Sequence, residues 1–73
     1  MNVTAAPFVG ALVRYVLPNS PEHIAAIVTH VHPDGRSVNL TGFWPNGVPG
    51  PILGVREDQH ENPAHGTWHW RTE

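Results

Sequence analysis

The chain has 73 residues, no cysteine, and four basic against six acidic residues, for a formal net charge of −2. Its length suits one domain, which at this size buries only ~60% of the surface its unfolded chain exposes; the absence of cysteine excludes disulfides and thiolate metal sites as reinforcement, leaving oligomerisation or a histidine–carboxylate site. Four arginines without a lysine argue against wrapping a long nucleic acid, but an arginine fork suffices for one small anion.

Residues 1–9 carry no clear period and read as an arm or edge strand, ahead of a single small domain over residues 10–73. Residues 11–17 (ALVRYVL) read as a strand, with Val13, Tyr15 and Leu17 on one face and Leu12, Arg14 and Val16 on the other. Residues 23–32 are ambiguous: Ile24, Ile27, Val28 and Val31 fall on a helical stripe, while the run Ile27-Val28-Thr29 is β-branched. Strand is preferred, because the segment leads into Pro33-Asp34-Gly35, a hairpin turn, and then into the strand-like residues 37–43. Residues 44–51 (WPNGVPGP) read as a loop or bent edge, residues 52–56 as a short strand, residues 57–65 as a polar loop and residues 66–71 as the last strand. About five short strands in so short a chain predict an all-β fold, a small barrel or roll.

In the last strand Trp68 and Trp70 share a face, so the largest aromatic surface sits at the end of the chain. Two alternatives stand: the indoles close the core, or they form a platform for a flat ligand or a partner subunit. His30 and His32 also share a strand face, which is metal-ligand spacing, with a third ligand available from His69, His60, Glu61 or His65. A solvated pair beside the turn explains them more simply, and no metal or other cofactor is assigned. There is no nucleophile elbow, phosphate-binding glycine loop or cysteine, and Glu57, Asp58 and Glu61 on a loop make a poor acid–base pair, so no enzymatic activity is assigned. Ligand binding has better support. Tyr15, Trp44, Trp68 and Trp70 offer flat surfaces, Arg14 and Arg56 suit phosphates, and Thr41 and Asn46 suit the edge of a base. No apolar run approaches the ~20 residues of a membrane span, and the first residues lack the pattern of a signal peptide; a soluble, intracellular protein is expected.

The segments Val13-Arg14-Tyr15-Val16, Ala25-Ala26-Ile27-Val28-Thr29, Val38-Asn39-Leu40, Val55-Arg56-Glu57-Asp58 and Gly66-Thr67-Trp68-His69-Trp70 occur in that order. This order resembles a group of small bacteriophage-encoded proteins that end in a G-T-W-H-W-like strand, and it covers about residues 10–71. The resemblance implies a Src-homology-3-like barrel. It also implies a sponge that sequesters a cyclic oligonucleotide signal of bacterial anti-phage (anti-CBASS) immunity as a homo-oligomer, in the cytoplasm of the infected host. Binding would fall to Arg14, Tyr15, Thr41, Trp44, Asn46, Arg56, Trp68 and His69. Arg71, where the group often has proline, and the proline-rich residues 44–51 depart from its pattern. An interaction module that binds a host or phage protein through a barrel groove or strand edge is the alternative.

Overall fold

A computed structural model describes residues 6–59 and 63–70. They form five strands: β1 (Leu12–Val16), β2 (His23–Val31), β3 (Val38–Phe43), β4 (Pro49–Glu57) and β5 (Thr67–His69). The strands close into a barrel in the order β1-β2-β3-β4-β5, consistent with a small Src-homology-3-like barrel. Neighbours are antiparallel except at the closure, where Arg56 and Glu57 of β4 run parallel to Thr67 and Trp68 of β5. Residues 1–5 of the expected arm lie outside the described residues.

The ambiguous segment is strand from His23 to Val31. Its alternation places Ile24, Ala26 and Val28 in the core. Tight turns link β2 to β3 and β3 to β4. At Pro33-Asp34-Gly35, the Asp34 carboxylate accepts the backbone N–H groups of Arg36 (2.9 Å) and Ser37 (2.8 Å) and the Ser37 hydroxyl (2.7 Å). Those bonds, first of all the one from Arg36, lower its pKa to about 2. Gly35 closes the turn with φ of +74°, a conformation suited to glycine.

Several expected boundaries move: β5 covers only Thr67–His69 of the expected 66–71, with Arg71 outside the described residues, and β4 extends through Glu57. β4 begins at Pro49, inside the stretch read as a loop, because a tight turn over residues 44–48 returns the chain directly onto β3. Two prolines are tolerated in this strand for a geometric reason. Only the Arg56–Glu57 end of β4 pairs with β5, so among the described residues the proline half has no strand partner on that side, and a missing N–H there costs no ladder bond.

The core comprises Val13, Tyr15, Ile24, Ala26, Val28, Val38, Leu40, Val55 and Trp68, with Ala11 at its margin. Trp68 is its largest member and has no exposed surface. Its indole N–H donates to the carbonyl of Arg36 (2.9 Å), so the one polar atom of the ring is satisfied inside the barrel. Removing the ring in Trp68→Ala costs about 3–5 kcal/mol, as much as a core of this size supplies in total. That variant is expected to be unfolded at 25 °C, read by far-ultraviolet circular dichroism and urea titration; a cooperative transition near the wild-type midpoint would show that the indole is dispensable.

Candidate functional site

Cross-strand pairing decides which side chains meet on the outside of the barrel. Arg14 lies opposite His69 on one side and Ala25 on the other, while Val16 pairs with His23. The outcome is an open cleft of about 640 Å³, lined by Leu12, Val13 and Arg14 of β1, His23, Ile24 and Ala25 of β2, and Trp70 just beyond β5. Trp70 is half-buried, with its ring edge-on to Trp68 (5.5 Å between centroids) and tilted against Phe8 (6.1 Å). Among the described residues, the cleft walls thus combine one guanidinium, one imidazole, one indole and aliphatic surface, and no carboxylate.

A second cleft of about 410 Å³ lies on the other side of the barrel closure. It holds Arg36 and Arg56 together with Asp34, Glu57 and Asp58. Arg36 is committed to Glu57 by a 3.0 Å ion pair, so the acids largely offset the positive charge here. For a phosphate, the first cleft is the better electrostatic environment despite having fewer arginines.

The eight residues expected to bind a ligand do not converge. Arg14 lines the first cleft and His69 is its cross-strand neighbour, whereas Arg56 lines the second. Tyr15 and Trp68 are interior and pack the barrel, which resolves the role of Trp68 in favour of the core. Thr41 sits mid-strand between Ile27 and Pro51. Trp44 is half-buried, with its Nε1 so close to Gly50 that a Cβ there would lie 2.9 Å away. Asn46 accepts the Val48 N–H (3.0 Å) and serves the turn. His23 is a lining residue that the sequence reading passed over; the signal was its register opposite Val16, which no local pattern reveals.

His69 is unusual for its environment. It is 7% exposed, and its Nδ1 is buried with no hydrogen-bond partner among the described residues. Its ring meets that of His23 edge-on at 4.8 Å. Burial lowers its pKa, and the neighbouring His23 and Arg14 lower it further, against a smaller opposing effect of Asp58. His65 is elsewhere, placed against the carbonyl of Pro18 (3.2 Å). Neither it nor His69 joins His30 and His32, and the other expected third ligands, His60 and Glu61, lie outside the described residues. Among the described residues, no group of three or more histidine or acidic side chains is arranged to hold a metal ion.

No protein-family model, curated protein or solved structure matches this chain.

The lowered His69 pKa fixes the sign of a pH dependence. Below the ordinary value of 6.5, the unfolded chain takes up the proton before the folded one does. Stability is therefore full above that pH and is lost as pH falls toward the folded-state pKa. Melting temperature measured from about pH 8 to about pH 5 is expected to fall in the wild type and to fall less in His69→Leu, which has nothing to protonate there. Equal slopes in the two proteins would remove His69 as the source.

Proposed function

We propose that this protein is a non-enzymatic binding protein that sequesters a cyclic nucleotide second messenger of bacterial anti-phage defence. The ligand sits in the cleft formed by Arg14, His23 and Trp70. The observation that carries this reading is a cleft that holds a guanidinium and an indole, with no carboxylate among its described lining residues. Its volume of about 640 Å³ falls within the range typical of small-molecule sites. Arg14 supplies charge-assisted hydrogen bonds to phosphate, Trp70 supplies a stacking surface, and His23 adds a ring N–H donor. The order of strand motifs ending in Gly66-Thr67-Trp68-His69-Trp70 supports the phage setting. Sequestration requires affinity and no bond making, so no side chain is assigned a catalytic role.

The homo-oligomeric part of the reading has its own support. Register aligns Leu12 with Ile27, Ala25 with Phe43, and Phe43 with Pro49 across the outer face. Leu12 is 58% exposed, and Phe43 is also exposed, so the strip is apolar surface that a second subunit would cover. The same strip favours the second reading, a protein-interaction module. A defined oligomer that captures no partner supports the first, and a monomer that takes up a partner protein in fixed ratio supports the second.

Thermal shift against a panel of cyclic di- and trinucleotides tests the ligand. At a hundredfold excess over the dissociation constant, one ligand stabilises by about 2.7 kcal/mol, which in a domain of this size raises the melting temperature by about 10 °C or more. Arg14→Ala is expected to weaken binding by about tenfold to a hundredfold, the worth of hydrogen bonds to a charged group, whereas Arg56→Ala leaves it unchanged. The reverse pattern would move the site to the second cleft, and a flat panel would retire the nucleotide reading.

A further inference from the structure

We propose that His30 and His32, backed by Asn39, form a binding site for a late divalent transition-metal ion. The site lies at the far end of β2 from His23, about 23 Å along the strand, and goes beyond the nucleotide reading. The two imidazoles are in contact, with ring centroids 5.1 Å apart and planes at 88°.

The tautomer of a neutral His32 follows from its neighbours. The backbone N–H of Gly54 donates to the side-chain atom Oδ1 of Asn39 at 2.9 Å. A backbone N–H has no lone pair to offer, so that atom must be the amide oxygen and not its nitrogen. The same oxygen lies 2.9 Å from Nε2 of His32, which must therefore carry the proton and donate it. In the neutral ring, Nδ1 of His32 is left with the lone pair. This is the arrangement of a metal-ligating histidine, whose other ring N–H is given to a carbonyl or carboxylate that fixes both tautomer and ring orientation.

The backbone converges on this point. β2 carries an extra residue, Thr29, between the pairs Val28–Leu40 and His30–Asn39. β4 carries two residues, Leu53 and Gly54, between partners of Leu40 and Val38, where β3 has only Asn39. Bulges on both flanking strands thus meet at Asn39. One aims the Gly54 N–H at its side chain, with φ of +64° at Gly54, and the other brings the Thr29 hydroxyl to its carbonyl (3.1 Å). Bulges concentrate where a side chain is re-aimed for function. The adjoining turn, pinned by Asp34, limits the freedom of the strand end on which His32 sits.

Two neutral imidazoles suit zinc, nickel or copper, with water completing the coordination, and copper(II) should bind most tightly. The test is titration of the full chain with zinc chloride and copper(II) chloride by calorimetry, together with long-range ¹H–¹⁵N spectra of the histidine rings. One equivalent of metal is expected. His32 should carry its proton on Nε2 before metal is added, and its Nδ1 should shift on addition. His30→Ala and His32→Ala should each weaken binding at least about tenfold, and Asn39→Ala by about 10- to 100-fold. Asn39→Asp, which still accepts both hydrogen bonds, should retain it. His30 is exposed, so His30→Ala leaves the fold intact and decides the matter even where an Asn39 variant does not fold. Unchanged affinity in His30→Ala, a proton on Nδ1 of His32, or metal shifts confined to the other histidines would each overturn the site.

Discussion

A five-stranded barrel has an axis too narrow for many large side chains and too wide to be filled by valines alone. In this protein Trp68 is the largest fully buried side chain, and side chains of β1, β2, β3 and β4 share its core. The indole sits on β5, a strand of three residues that pairs with β1 on one side and β4 on the other. So short a strand offers few ladder bonds, and the buried indole supplies the apolar area that holds it in place. Its N–H reaches the carbonyl of Arg36 beyond the β2–β3 turn, which ties the last strand to the first half of the chain. The same side chain thus serves both closure of the barrel and filling of its core.

Closure also sorts the charged groups. By placing β5 between β1 and β4, it separates Arg14 from Arg56 and gives each different company. Arg14 faces imidazoles and aliphatic surface, whereas Arg56 shares its cleft with three carboxylates and a second arginine already paired to Glu57. A net-negative protein can in this way keep one locally positive surface, because potential at a cleft depends on the nearest groups more than on the total. His69, enclosed beside Arg14, adds to this asymmetry. A histidine held neutral next to a guanidinium leaves the anion-attracting charge concentrated on the arginine.

The fold was legible in the sequence because its signals are local. Alternation in residues 11–17, the β-branched run at Ile27 to Thr29 and the Pro33-Asp34-Gly35 turn each specify a short strand or its end without reference to distant residues. The start of β4 was not legible, since Pro49 and Pro51 signal a loop unless one knows that a side of the strand is unpaired. The candidate cleft was readable only in part. Arg14 could be chosen as an outward cation on a strand, but its meeting with His23 and Trp70 depends on the register of three strands. Tyr15 and Trp68 illustrate the same limit from the other side. An aromatic on an alternating strand looks alike in a core and on a platform until the curvature of the sheet is known.

The prolines of β4 have a consequence for the crowded cell. A strand with one open side is ordinarily a template on which another chain adds in register, the first step toward aggregated sheets. Along the half of β4 that β5 leaves uncovered, Pro49 and Pro51 remove alternate donors, so an incoming strand finds carbonyls there without their matching N–H groups. The barrel therefore discourages growth by strand addition at its weakest border.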